Sequence, residues 1–424
     1  MNKNPKKNLR IAIIHDDFSL CGGGEKLVAI LAKGLSKKGI EVDIITYNFT
    51  EEPKKIIPKG IKIKTIINKK YPFHDHNVRK YLFSKLNLKK KYDLFIFSGY
   101  FCLYASKINK PNILYCHNVR KPYLSTQKRF EEKPNKRQVQ AKLDLIDNSF
   151  LGKSWTFLYK IKNKFIKKKI PRKISEKIEL IRFLFAISPH PILIKYAIKP
   201  LTEEEEIRKE INYIQKIIVN SLTIKKDAKE YYKRESIIIH PPIETKKFHY
   251  KKNKNFWISI NRIDPHKRVE LQLKAFSKMP NEKLYIIGHI QNQKYYEFLK
   301  KIKPNNVKFL GVINEDKLIK KLSECKGMVF TAKKEDFGMA PVEAMASGKP
   351  VIAPNEGGCK ETIINEKTGI LINNINEDKI IRAVEKINKN PEKYKNACLR
   401  QARKFDVEVF IKKMTEEIRD SLVQ

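Results

Sequence analysis

Short apolar-rich runs recur along this chain at residues 9–15, 41–46, 61–66, 94–97 and 112–116, and again at 256–260, 284–288, 307–311, 328–331, 350–353 and 368–371. Most lack strict polar alternation, which predicts strands covered on both faces, as in parallel sheets. Between them the spacing changes. After the first run, Leu27, Val28, Ile30, Leu31 and Leu35 recur at helical intervals, and further helices are expected from Val269, from about Pro341 and from Asn376. A strand ends at 217–221, Ala228 and Tyr232 lie on a helix, and 237–243 leads out through Pro241 and Pro242. Strand, loop and helix alternate in this way twice, which predicts an α/β chain of two Rossmann-like halves. The junction is placed at 242–252, giving an N-terminal half of 1–245 and a second half of 246–405, with a last helix starting at 405–410.

Residues 125–215 interrupt the rhythm and read as a helical insertion. The stretch 127–142 is highly charged, and 150–169 mixes Trp155, Phe157, Tyr159, Phe165 and Ile166 with many lysines. Basic amphipathic helices with aromatic residues suit an anionic membrane interface; an ordinary helical lid packed on the N-terminal half with solvated lysines is the slightly favoured reading. The apolar run 182–195 is broken by Pro189 and Pro191, so it is not one spanning helix. Thr202 is placed to cap a solvated helix that opens with four glutamates.

At 424 residues the chain is long enough for two domains. Its 89 Lys and Arg against 46 Asp and Glu give a net charge of +43, which attracts polyanions such as nucleic acid, anionic membranes or phosphorylated substrates. The lysines are spread along the chain, so compositional bias outweighs nucleic-acid binding, and no nucleic-acid partner is expected. The six cysteines form no C-x-x-C pair and no zinc spacing, as for reduced intracellular thiols. His74 and His76 are metal-ligand types without an evident third ligand, so no metal site is expected. The basic N-terminus runs into an apolar stretch too short for a signal peptide, and no run reaches the roughly 20 residues of a membrane-spanning helix. The expected location is cytoplasmic, with peripheral contact at an anionic membrane face.

The chemistry concentrates in 329–363, VFTAKKEDFGMAPVEAMASGKPVIAPNEGGCKETI. Glu335 and Glu343 stand eight positions apart, one in a loop and one inside the following helix. Between them Phe337, Gly338, Met339 and Ala340 lead into a helix N-terminus, with Pro341 in the first turn. Free N–H groups and the positive dipole end there favour a phosphate, and the flanking carboxylates favour hydroxyls. A ligand with both is a nucleotide sugar. The plainer alternative is a loop of any parallel α/β sheet. A second glycine loop, Gly22, Gly23 and Gly24, follows the first strand and is neither a dinucleotide fingerprint nor a P-loop. Arg262 and Lys267 follow the strand at 256–260, and His117 follows the strand at 112–116.

The run E-D-F-G-M-A-P-V-E-A-M-A-S-G-K-P-V-I-A followed by E-G-G resembles the E-x7-E motif of the retaining family-four glycosyltransferases of GT-B fold. G-G-G-E after the first strand, Y-C-H before Pro122 and Tyr123, and R-x-x-x-x-K from Arg262 to Lys267 resemble that family too; Asn261 stands where its pattern has glycine. The resemblance implies two Rossmann-like domains facing a cleft, with helix 406–424 returning to the N-domain. It implies that Arg262 and Lys267 bind the donor diphosphate with backbone N–H groups around Met339 and Ala340. Glu335 would hold sugar hydroxyls, Glu343 the ribose, His117 the transferred sugar, and Val312 the base, while Gly22 to Gly24 leave room for phosphates and acceptor. It implies no metal and no other cofactor. The histidine loop leans towards mannose from GDP-mannose, and the acceptor is expected to be a glycan or lipid-linked glycan. A UDP-sugar-dependent transferase, a non-catalytic relative binding sugar nucleotides or glycans and, last, a nucleic-acid-binding protein remain open on the sequence.

Overall fold

The computed structural model describes residues 9–19, 22–50, 56–58, 60–66, 76–119 and 203–423. The insertion up to 202, Thr202, His74 and the side chain of His76 lie outside the described residues, as does Cys21. In the first half the strands are β1 (Arg10–His15), β2 (Glu41–Thr46), β3 (Lys62–Thr65), β4 (Leu94–Ser98), β5 (Asn112–Cys116), β6 (Lys216–Val219) and β7 (Ile237–Ile238). Helices α1 (Gly23–Ser36), α2 (His76–Ser84), α3 (Glu203–Ile211) and α4 (Leu222–Tyr232) accompany them. The sheet order is β3-β2-β1-β4-β5-β6-β7, parallel throughout. The chain reverses its direction of travel across this sheet between β1 and β4.

The second half holds β8 (Trp257–Ile260), β9 (Leu284–Ile287), β10 (Val307–Gly311), β11 (Met328–Val329), β12 (Val351–Pro354) and β13 (Gly369–Ile372). Its helices are α5 (Val269–Ser277), α6 (Gln293–Ile302), α7 (Glu315–Glu324), α8 (Met339–Ala346), α9 (Cys359–Thr362), α10 (Glu377–Asn388) and α11 (Lys395–Arg403). This sheet is also parallel, in the order β10-β9-β8-β11-β12-β13, and reverses between β8 and β11. Two Rossmann-like halves are what the repeated alternation predicts.

Most strands are apolar on both faces because both faces are covered; the edge strand β3, with Lys62 and Lys64, is exposed or half-buried throughout. In β1, Ile11 and Ile13 join one core with Leu27, Val28, Leu31 and Leu35 of α1, whereas Ala12 and Ile14 join another with Phe83, Phe101 and Ile207. The last helix, α12 (Val407–Val423), belongs to the first of these cores. Its Phe410, Ile411, Met414 and Ile418 are buried there, and Phe410 meets the Tyr115 ring edge-on at 5.9 Å. The C-terminal helix thus packs on the N-terminal half. The five described cysteines, Cys102, Cys116, Cys325, Cys359 and Cys398, are free and buried.

The two places where the chain passes between the halves are bonded to each other. Ile243 N–H donates to Phe405 O at 2.8 Å, and Val407 N–H donates to Ile243 O at 3.2 Å. The Thr245 hydroxyl donates to the Asp406 carboxylate beside them. Away from these crossings, the Glu361 carboxylate of α9 accepts from the Leu222 and Thr223 N–H groups at 2.7 and 3.2 Å, closing the exposed start of α4.

Gly34 lets α12 approach α1. A Cβ there would lie 2.2 Å from Ile411 Cδ1 and 2.4 Å from its Cγ1. Alanine is the better helix former by about 1 kcal/mol, yet overpacking of this kind costs about 1–3 kcal/mol. Gly34→Ala is therefore expected to lower the unfolding midpoint. In a double-mutant cycle by calorimetry, Gly34→Ala should cost less in an Ile411→Ala background than in the wild type.

Candidate functional site

Open parallel sheets place ligands beyond the carboxyl ends of their strands, at the point where strand order reverses. In the first half that point lies between His15, which ends β1, and Ser98, which ends β4; the two residues are register partners. His117 follows the adjacent β5. His15 Nδ1 lies 3.2 Å from Ser98 Oγ, and Ser98 Oγ lies 2.8 Å from His117 Nε2. On its other side, His15 Nε2 is 3.5 Å from Glu25 Oε1 of α1. Glu25 Oε2 in turn accepts the Gly22 N–H at 2.9 Å, half of a capping box. Burial pushes the Glu25 carboxyl up, and bonds from His15 and Gly22 more than offset this, holding it below the usual range. Burial and the neighbouring His15 lower the His117 imidazole to about 4. The carbonyl of His117 is fixed by the Asn220 amide at 2.5 Å.

The acidic residues after β1 have structural work. Asp16 accepts the Tyr100 and Cys102 N–H groups at 2.6 and 2.7 Å. Gly99, at φ +151°, leaves room for that carboxylate. Asp17 pairs with Arg79 at 2.8 Å.

Gly22 precedes α1, while Gly23 and Gly24 form its first turn, so the glycine stretch is mostly helix rather than loop. A Cβ on Gly23 would meet Met339 Sδ at 3.5 Å, and one on Gly24 would meet His117 Nε2 at 3.8 Å. Met339 is the first residue of α8, and Gly338 before it adopts φ +88°. The first turn of α1 therefore lies beside His117 and within side-chain reach of Met339, the first residue of α8. A helix N-terminus favours an anion, and here two of them begin close together.

The second half adds cations in the loop after β8. Arg262 is exposed and has no hydrogen bond among the described residues. The Asn261 side chain, in place of a glycine, is buried and bonds Ser259. Lys267 pairs with Glu335 at 2.5 Å. Arg268, by contrast, is a clamp: Nε donates to Thr331 O at 2.7 Å, Nη2 donates to Ala332 O at 3.2 Å, and the guanidinium pairs with Glu356. The two glycines after Glu356 press on the loop that carries Glu335. A Cβ at Gly357 would stand 2.4 Å from Glu335 O, and one at Gly358 would stand 2.4 Å from Phe337 Cα.

The remaining expected residues divide. Phe337 is buried, stacked on His240 at 5.4 Å and edge-on to Phe405 at 5.4 Å, so only its backbone is available to a ligand. Met339 and Ala340 are half-buried at the start of α8. Glu343, one turn further, has its carboxyl pushed up by burial, against which Lys26 of α1 acts from across the cleft. Val312 is 75% exposed, just beyond the edge strand β10. His15, Ser98 and Glu25 were not expected. Their one sequence signal is the spacing of Glu25 three residues after Gly22.

Among the described residues, no three His, Cys, Asp or Glu side chains gather as a metal-ligand group, and no helix is long and apolar enough to cross a membrane.

Residues 241–405 match the family described as Glycosyl transferases group 1, and residues 21–147 match Glycosyltransferase Family 4. The alpha-1,3/1,6-mannosyltransferase ALG2 of Dictyostelium discoideum is 26% identical over 87% of this chain and 87% of its own length. The GDP-Man:Man(3)GlcNAc(2)-PP-Dol alpha-1,2-mannosyltransferase of the same organism is 29% identical over 35% of each. Among solved structures, sucrose-phosphate synthase from Thermosynechococcus elongatus superposes with a TM-score of 0.68 at 16% identity, covering 97% of this chain and 99% of that one.

A neutral His117 in the fold has a measurable signature. Its ring resonances should stay flat down to about pH 5 and titrate near 4. The unfolded imidazole takes its proton near 6.5, so the unfolded state binds more protons in between. Stability should therefore fall as pH drops from about 6.5 to 4, and a His117→Gln variant should lose that part of the pH dependence.

Proposed function

We propose that this chain, which belongs to the glycosyltransferases that join a family 4 half to a group 1 half, transfers mannose from GDP-mannose to a glycan carried on a lipid. It is a hexosyltransferase using a nucleotide-sugar donor; mannose, guanine and the lipid-linked acceptor are the finer part of the reading. The observation that carries it is the nearness of the α1 and α8 N-termini, with Lys267 paired to Glu335 in the loop before α8. A departing nucleoside diphosphate gathers negative charge, and fixed positive groups at that spot lower the barrier. Protein groups supply this charge, so the proposal includes no metal.

In this reading the Lys267–Glu335 pair is the resting state. The diphosphate takes over the ammonium, which frees the Glu335 carboxylate to accept sugar hydroxyls. Glu343 holds the ribose, Val312 lies against the base, and His117 faces the transferred sugar. The first turn of α1, with no side chains at Gly23 and Gly24, leaves space for phosphates and acceptor. The bond from the anomeric carbon to the diphosphate oxygen breaks as the acceptor oxygen bonds that carbon from the same face. The acceptor's proton passes to the leaving phosphate, so configuration is retained without a dedicated base. Alignment and charge supply the rate. The two relatives named above, both mannosyltransferases by name, support mannose, and the GDP-Man in the second one's name supports GDP. The lipid-linked acceptor draws on the second relative's name and on the net charge of +43, which suits peripheral contact with an anionic membrane.

Thermal stabilisation by GDP, UDP, ADP and their sugar conjugates at moderate salt tests the donor. Stabilisation by GDP and GDP-mannose is expected, worth about 2.7 kcal/mol at a hundredfold excess over Kd. A UDP preference would keep the enzyme and discard GDP-mannose. No response to any nucleotide, with tight salt-sensitive binding to nucleic acid, would overturn the reading. Lys267→Ala and Glu335→Gln should each cut transfer by at least about 100-fold while unfolding cooperatively; full activity in both would refute their roles.

A further inference from the structure

The chain of contacts from Gly22 to His117 has a direction. Glu25, ionised, only accepts: Oε2 takes the Gly22 N–H, and Oε1 faces His15 Nε2. In a singly protonated His15, donation towards that carboxylate, 3.5 Å away, puts the proton on Nε2 and leaves Nδ1 bare. Bare Nδ1 accepts the one hydroxyl proton of Ser98, 3.2 Å away. Ser98 Oγ, having given its proton, accepts from His117 Nε2 at 2.8 Å. His117, neutral in its turn, is left with a bare Nδ1, which has no hydrogen-bond partner among the described residues. Each link admits one arrangement once the carboxylate end is fixed.

We infer that Glu25, His15 and Ser98 are positioning residues that lock the tautomer and ring orientation of His117, so that its Nδ1 meets the substrate as a hydrogen-bond acceptor. All three are drawn from separate elements, α1, β1 and β4, and none needs to touch substrate. His15 and Ser98 are buried at the strand ends, and the Tyr115 ring lies 5.3 Å from His117. The lock rests on the reading in which His117 faces the transferred sugar. A sugar hydroxyl then donates to Nδ1, and the anomeric carbon is held in place through that bond.

The polarity can be reversed by one isosteric change. In Glu25→Gln the amide oxygen keeps the Gly22 N–H, and the amide N–H donates to His15 Nε2. The His15 proton moves to Nδ1, Ser98 donates to His117 Nε2, and His117 carries its proton on Nδ1. Ser98→Ala cuts the chain instead. Protein labelled with ¹⁵N-histidine at about pH 8, with resonances assigned through His117→Gln, reads both nitrogens directly. The wild type is expected to show His117 protonated on Nε2, Glu25→Gln on Nδ1, and Ser98→Ala a mixture. An unchanged His117 tautomer in Glu25→Gln and Ser98→Ala would overturn the lock; if Ser98→Ala fails to fold, Glu25→Gln decides alone. With the switch, kcat should fall about 10- to 100-fold, the range of outer-shell substitutions, with a smaller change in donor KM. A switched tautomer with wild-type kcat and KM would leave the relay standing and overturn the role of His117 in transfer.

Discussion

Two helices, one from each half, begin close to one another beside His117. A helix N-terminus favours an anion, and much of the surrounding architecture fixes these two. The first turn of α1 carries Gly23 and Gly24, so that its N–H groups are not shielded by side chains. The first turn of α8 is set by Gly338 in the left-handed region. The loop before it cannot drift, because Gly357 and Gly358 lie against its backbone and Gly358 N–H donates to Glu335 O at 2.7 Å. The Lys267–Glu335 pair, with both side chains largely buried, keeps a cation and a carboxylate available without leaving either unpaired in low dielectric.

The strands were legible because burial on both faces writes a run that no amphipathic helix would carry. Agreement at β2, β5 and β10 reaches the end residues. It weakens where side-chain bonds replace the ladder. The run 328–331 reads as one strand, but pairing stops at Val329. Thr331 instead donates its hydroxyl to Lys267 O at 2.6 Å and accepts from Gln272. The donor-side residues were legible because they sit within one contiguous motif. The relay behind His117 was not, since Glu25, His15 and Ser98 are joined only by sheet register and helix placement. Phe337 shows the same limit: its place in the motif pointed to a ligand, while its ring is spent on His240 and Phe405.

The paired crossings between the halves have a mechanical meaning. A single connecting strand would leave one body free to swing and to twist about the other. Here two strands run side by side, with Ile243 bonded to both Phe405 and Val407, and a twist would shear those bonds while a bend need not. Any relative rotation that keeps them has in effect one degree of freedom, and opening must also release the Glu361 carboxylate from the start of α4. Phe405 sits in the crossing with the Phe337 ring against it, so the loop that sets Glu335 and Gly338 lies beside the crossing, where a bend would move it least. The donor loop lies near the pivot, where displacements are small. Points farther from the axis sweep the larger arc.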